Sequence, residues 1–356
     1  MPSSLQKPIQ LPPTVHSCPG CGVGEFLDGP LLRDQPVMLN YRCADAGQAK
    51  ELGHGFIQLR ECQSCGLIFN GAFDLDLIRY DAAYDNRQGF SGVFRNHLES
   101  VADSLLNHLP KNGKVLEVGC GKGEFLRLLR DRGCARLVGY DTSCPDVPSE
   151  EDRGIEYHCC YVTADLIREN FDLIVCRHVV EHVPEIGAFL ESLAAIARVA
   201  GNAAVVIETP EFGWIVENGC FWDYFYEHCN YFTFEALEEL CRRAGLEVLS
   251  HRRVFGDQYQ CIIAKPAAEP LPPSETATGA LDRFLQVASA AQNSLESAIA
   301  ASREQSWAIW GAGAKGVTLA SRLDVPGLSF VIDSNPDKAG CRLPGSAVPV
   351  ISPSDQ

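Results

Sequence analysis

The chain has 356 residues, 46% of them hydrophobic and 21% charged, with a formal net charge of -16 at pH 7. This length exceeds what one hydrophobic core normally serves, so two or three domains are expected. The negative balance argues against a general nucleic-acid binder, which needs a cationic face, and no apolar run approaches a membrane span, because "AFLESLAAIARVAGNAAVVI" is broken by Glu191 and Arg198. The opening stretch "MPSSLQKPIQLPPTV" lacks the apolar centre of a signal peptide. Sixteen cysteines without a signal point to reduced thiols and metal rather than a disulfide framework. A cytoplasmic enzyme with neither a membrane nor a nucleic-acid partner is the expectation.

Residues 1–72 are loop-rich and carry two CxxC pairs, Cys18 and Cys21 in "HSCPGCG" and Cys62 and Cys65 in "LRECQSCGLIFN". Each turn can aim two thiolates at one tetrahedral ion, and the glycine after the second cysteine eases the knuckle. Together they complete a four-thiolate set with no open position, which reads as a structural zinc-binding domain. Four unrelated buried thiols are the plain alternative, and Cys43 is a substitute ligand without a partner spacing. Residues 73–112 read as a helical connector.

Over residues 113–265, apolar runs of strand length alternate with helical patterns: "KVLEVG", "RLVGYD", "FDLIVCR" and "AAVVIE". This alternation predicts an α/β fold with a doubly wound parallel sheet. "KVLEVGCGKGEFLRLL" runs from a strand through Gly119, Gly121 and Gly123 into a helix, so backbone can approach a ligand where side chains would collide. Asp141 ends the next strand about twenty residues on, where a carboxylate can accept ribose hydroxyls. Dinucleotide sites look similar. The GxGxG spacing, Glu117 two residues ahead of the first glycine and the later strand "FDLIVCRHVVEHV" resemble class I methyltransferases instead. That resemblance implies S-adenosyl-L-methionine as cofactor along these turns, with His178 lining its pocket. "HVVEH" also matches an inverted zinc-hydrolase helix motif, but it follows the fourth strand of this core and has no evident third ligand.

The stretch "WDYFYEHCNYFT", 222–233, sets Glu227 beside His228 in an aromatic wall. It follows the fifth strand, at the sheet edge where open α/β sheets bind ligands. Histidine is the usual group where a proton must leave near neutral pH, with the glutamate orienting it or holding a substrate hydroxyl. A histidine bonded to backbone within a packed core is the structural alternative, and it applies equally to Tyr224, Tyr226 and Tyr231.

Residues 266–279 have the proline and small-polar composition of a linker. In 280–356 a long amphipathic helix precedes "WAIWGAGAKGVTLA", whose Gly311, Gly313 and Gly316 form a GxGxxG after a strand, with Lys315 in the turn and Asp333 closing the next strand. Alone, this fingerprint suggests a nicotinamide (NAD) oxidoreductase or a structural turn. Lys315 and the helix start favour a phosphate. The unit stops early for a Rossmann-like domain, as a truncated one would.

Paired CxxC turns, "LEVGCGKGEFL", "EHCNYF" and "WGAGAKG", in this order, are similar to the nucleotide-sugar C-methyltransferases of deoxysugar pathways. The resemblance covers essentially the whole chain. It implies methyl transfer from S-adenosylmethionine to a nucleotide-linked 4-keto sugar. The base would be His228, which takes the proton beside the ketone, with Glu227 and Tyr226 in the catalytic loop. Phe225 and Tyr226 depart from the family, which has tyrosine and histidine there. The resemblance further implies that the carboxyl-terminal domain holds the sugar nucleotide, with Gly311, Gly313, Lys315 and Asp333 as contacts. Tyr224, Tyr231 and, from "YDAAYDNRQGFSGVF", Tyr84 and Asn86 complete the implied substrate pocket. Transfer to oxygen or nitrogen, an oxidoreductase, and a zinc-bearing scaffold without activity are the other readings.

Overall fold

The computed structural model describes residues 15–79, 91–144, 149–272, 274, 276–302, 306–323 and 325–355; Tyr84 and Asn86 lie outside them. The amino-terminal module contains β1 (Phe26–Pro36), α1 (Ala46–Glu51), β2 (His54–Cys62) and β3 (Ile68–Asn70). A long helix follows, α2 (Gly92–Leu106), begun by Ser91, whose side chain accepts from the Phe94 amide. The core then runs β4 (Lys114–Val118), α3 (Glu124–Asp131), β5 (Arg136–Tyr140), β6 (Ile155–His158), β7 (Leu173–Arg177), α4 (Ile186–Val199), β8 (Ala204–Pro210) and α5 (Phe212–Glu217). It continues through β9 (Asn230–Tyr231), α6 (Phe234–Arg243), β10 (Leu246–Val254) and β11 (Tyr259–Pro266). Last come α7 (Ala280–Ala301), β12 (Trp307–Trp310), α8 (Ala314–Arg322), β13 (Leu328–Ile332) and β14 (Val350–Ile351).

Seven strands form the central sheet in the order β10-β11-β8-β7-β4-β5-β6. β8, β7, β4, β5 and β6 are parallel, and β11 and β10 are added antiparallel at one edge. Val115, Leu116, Ile174, Val175 and Val206 are fully buried because helices cover both faces. α4 and α6 pack on one side, and α2 and α3 on the other. The chain order reverses between β4 and β7, and this opens a ligand crevice at their carboxyl ends. The four apolar runs predicted as strands are β4, β5, β7 and β8. β10, "LEVLSHRRV", was not readable as a strand because an edge strand exposes alternate polar residues instead of an apolar run.

The modules share elements. β9, from the aromatic stretch, pairs with β3 and completes the sheet β1-β2-β3-β9 of the amino-terminal module. At the other end, β12-β13-β14 form a parallel sheet, and the cluster beneath it includes Leu39 and Phe225 from elsewhere in the chain. α7 backs the aromatic stretch, with Phe284 wedged edge-on against Phe212 and Tyr224 at ring distances of 5.1 and 5.0 Å. Among the described residues no helix is long and apolar enough to cross a membrane. The cysteines depart from the expectation of reduced thiols at one pair. Cys144 and Cys159 follow the ends of the paired strands β5 and β6, 5.5 Å apart at Cα, and form a disulfide.

Glu61, buried in β2, accepts the amides of Gly279 and Ala280 at 2.9 and 3.0 Å, and so caps the start of α7 with negative charge. Glu61→Ala should therefore destabilise the fold by about 2 kcal/mol, the usual cost of losing bonds to a charged acceptor. Chemical denaturation measures this; an unchanged midpoint would remove Glu61 as the link between the amino-terminal module and α7.

Candidate active site

The turn after β4 places Gly119, Gly121 and Gly123 at φ of 77°, 50° and 78°, a backbone that glycine adopts without strain. A side chain at Gly119 would collide with Val179, and one at Gly123 with the Tyr157 ring. Asp141 faces this turn from the end of β5. One of its carboxylate oxygens accepts from the Gly121 amide at 2.8 Å, and the other from the Ser143 amide and hydroxyl at 2.7 Å each. Glu117 lies buried beneath the turn, and its Oε2 has no hydrogen-bond partner among the described residues. Burial pushes its carboxyl up to about 8, against the pull of Arg177, and Asp141 adds to the rise. A buried acid with one unpartnered oxygen beside an open glycine turn suits a ligand that brings its own cation. The α-ammonium of S-adenosylmethionine fits that description, and its ribose fits Asp141.

β7 ends in Arg177, and His178 follows with φ 53°. Fully buried Glu208 of β8 gathers Arg177 at 3.0 and 3.3 Å, His97 of α2 at 2.7 Å and His178 at 3.3 Å. Burial opposes ionisation of Glu208, but Arg177 and the two histidines hold its carboxyl well below the usual range. His178 bridges Glu208 to Glu181, which lies 3.3 Å from Nδ1. Burial disfavours its charge, yet the two carboxylates win and raise it to about 9. Val179 packs beside Gly119, and the residue before it, His178, lines a cleft.

That cleft has a volume of about 500 Å³. His178, Glu181, His182 and His228 line its core side, and the Gly311–Gly316 turn and Asp333 line the carboxyl-terminal side. The His228 ring packs 4.1 Å from Phe225 and edge-on to His182 at 4.8 Å. Burial, reinforced by His182, holds His228 well below the ordinary histidine range, so its imidazole is neutral.

Several predicted groups are committed to partners within the protein. Glu227 borders the cleft, but its Oε1 accepts the Leu39 and Asn40 amides at 2.6 and 3.4 Å; Glu181 and His182 are the groups clustered with His228. Tyr226 is fully buried against Phe73, and its hydroxyl donates to the Asp74 carbonyl and accepts from the Asp74 amide. Tyr231 clamps Phe225 through its carbonyl and amide at 2.9 and 2.8 Å, and Tyr224 lies under Arg322 at 3.6 Å. Tyr226 and Tyr231 share one physical reason: their rings are drawn into cores, where backbone groups satisfy their hydroxyls. In the carboxyl-terminal turn, Asp333 accepts from the Ala312 and Asn335 amides at 2.6 and 2.8 Å. Lys315 pairs with Asp223 at 2.6 Å and donates to Gln258 at 3.3 Å. Glu181 and His182 were missed although "HVVEH" displays them. Val180–His182 is a single 3-10 turn, not a zinc-hydrolase helix.

The four cysteines of the amino-terminal module converge on one point. Cys18 and Cys65 are 3.6 Å apart at sulfur, Cys21 and Cys62 are 3.5 Å apart, and all four lie within 4.8 Å of one another. A tetrahedron with ~2.3 Å metal–sulfur bonds has edges of about 3.8 Å, so the set is sized for one ion. Gly22 and Gly66 take φ of 77° and 71° after the second cysteine of each pair.

Comparison with known proteins bears on the core first. The family described as "Methyltransferase domain" matches residues 93–251. The sheet order, with its reversal at β4 and β7 and its antiparallel β11, agrees with that match. The core is a class I methyltransferase domain. This is the fold class expected from the sequence. A second family, described as "C-methyltransferase C-terminal domain", matches residues 275–356. A ubiquinone biosynthesis O-methyltransferase of Bradyrhizobium diazoefficiens is 32% identical over 107 residues, 28% of this chain and 41% of that protein. One of Rhodopseudomonas palustris is 30% identical over 132 residues, 33% and 51% of the two chains. The chain thus spans about two fifths to a half of the length of these relatives. Among solved structures, the 1,6-didemethyltoxoflavin-N1-methyltransferase of Burkholderia thailandensis has a TM-score of 0.37 at 18% identity, over 49% of this chain and 79% of that one.

If Glu117 meets the donor's ammonium, binding near pH 7 must release a proton from a group whose free value is about 8. Calorimetry in buffers of different ionisation enthalpy should show this release in the wild type and not in Glu117→Gln. For His178, the folded value of about 9 exceeds the unfolded ~6.5. Its stabilisation is therefore complete below about pH 6.5 and is lost as pH rises through 9. Melting temperatures should fall more steeply over that window in the wild type than in His178→Asn, which keeps a residue tolerant of positive φ; parallel curves would contradict the ion-pair hub.

Proposed function

We propose that this methyltransferase transfers a methyl group from S-adenosylmethionine to carbon in a nucleotide-linked keto-deoxysugar, with His228 as the base. The supporting observation is that one cleft contains both His228 and the second glycine turn. An acceptor with a reactive ring at one end and a phosphorylated nucleoside at the other suits such a cavity. The family match of residues 275–356 supports carbon as the acceptor.

In this reading Glu117, the 119–123 turn and Asp141 hold the donor, which supplies an electrophilic methyl on sulfonium. Neutral His228 accepts the proton from the carbon beside the ketone, leaving that carbon nucleophilic. The rings of Phe225 and its neighbours keep water from the reacting centre. Lys315 exchanges Asp223 for the diphosphate of the acceptor, aided by the start of α8. Phe225 brings a ring and no hydroxyl to the side of His228, so acceptor hydroxyls are met by other groups. The four thiolates hold a structural zinc that fixes the two knuckles. Transfer to oxygen is the second reading, favoured by the O-methyltransferase names of the relatives.

Deuterium exchange decides between the two. With a nucleotide 4-keto sugar and no donor, the wild type should wash deuterium into the carbon beside the ketone, and His228→Asn should not. Turnover in His228→Asn should fall by about 10²–10⁴-fold, the usual contribution of a positioned base, with donor affinity within about twofold. Retained turnover would return His228 to a packing role. Cys62→Ser should lose the zinc and lower the melting temperature, as measured by metal analysis and calorimetry on one sample; unchanged zinc content would reject the four-cysteine assignment.

A further inference from the structure

We propose that Glu181, His182 and His228 form a second metal site, facing the cleft, that takes a divalent transition-metal ion. One ligand atom from each of the three lies within 4.8 Å of the other two. Around an ion with bonds near ~2.1 Å, neighbouring nitrogen and oxygen ligands sit about 3–3.5 Å apart, so small side-chain rotations close the site. All three residues line the cleft, and two imidazoles with one carboxylate leave coordination positions open toward it.

Groups behind the ligands hold them in place, as in metal sites generally. The Thr209 hydroxyl donates to Glu181 Oε2 at 3.0 Å. His182 Nδ1 meets the Glu227 carbonyl at 2.8 Å, a partner that requires the proton on Nδ1 and makes Nε2 the basic nitrogen. Glu227 is itself fixed through Leu39 and Asn40, so the imidazole is oriented from the amino-terminal module. Two imidazoles select zinc, cobalt, nickel or iron(II) over magnesium or calcium, which prefer all-oxygen shells. The set is chemically distinct from the four thiolates, which make a separate group of sulfur ligands.

The consequence rests on the base role given to His228. An ion bound here uses the lone pair that would accept the acceptor's proton, so carbon methylation and metal occupancy exclude each other. Site filling should therefore switch transfer off.

The test is a Co²⁺ titration of the full-length protein after its thiolate-bound metal has been quantified, followed by visible absorption and calorimetry. One further equivalent should bind, with a nitrogen–oxygen spectrum lacking thiolate-to-cobalt charge transfer. His182→Ala and the isosteric Glu181→Gln should each weaken it by at least about tenfold while circular dichroism shows the fold intact. No further equivalent, or an affinity that neither variant changes, overturns the site. Transfer that falls in step with occupancy supports the exclusion. Transfer that rises with occupancy, while binding still depends on the three residues, keeps the site and overturns His228 as the base.

Discussion

One short segment, 222–233, must serve as wall for three cores at once, and the molecule is arranged around that constraint. Phe225 enters the cluster of the carboxyl-terminal sheet, and Tyr226 packs into the cluster shared by the amino-terminal module and α7. Asn230 and Tyr231 pair with β3 as a strand. A chain committed in three directions has little freedom left at the residue between them, and His228 is that residue. Its ring is held by packing against Phe225 and His182 and by the fixed course of the backbone on both sides.

Charge is handled differently on the two sides of the crevice. Beneath the glycine turn, Glu117 is buried without a matching partner for one oxygen, whereas Glu208 is buried with three cationic or ring donors around it. Both carboxyls lose hydration, yet their protonation moves in opposite directions because Glu208 is bonded directly to Arg177, whereas at Glu117 burial outweighs the pull of the same Arg177. The first is poised for a ligand cation; the second tethers α2, β7 and β8 into a rigid floor.

The predicted strands β4, β5, β7 and β8, the glycine turn and both cysteine knuckles were legible because each depends on local rules: apolar runs for buried parallel strands, glycine for positive φ, fixed spacing for two thiolates on one turn. β10 was not legible, since its identity as a strand comes from the neighbour it pairs with. The tyrosines of the aromatic stretch were readable as buried rings, but their hydroxyls were not assignable. Backbone partners at Asp74 and Phe225 take those of Tyr226 and Tyr231, and no sequence rule places them. Likewise, Glu181 and His182 were visible as letters, but their meeting with His228 joins two loops far apart in the chain.

By itself, then, the amino-acid order determined the alternating α/β core, the two glycine turns and the paired knuckles, because backbone dihedrals and short-range burial patterns are encoded within a few residues. Only the tertiary structure decided which acid stands beside His228, where Glu227 spends its carboxylate, and that the carboxyl-terminal turn opens into the same cleft as the histidine. Those outcomes depend on distant segments competing for a limited set of buried partners, and that competition is settled when the segments pack.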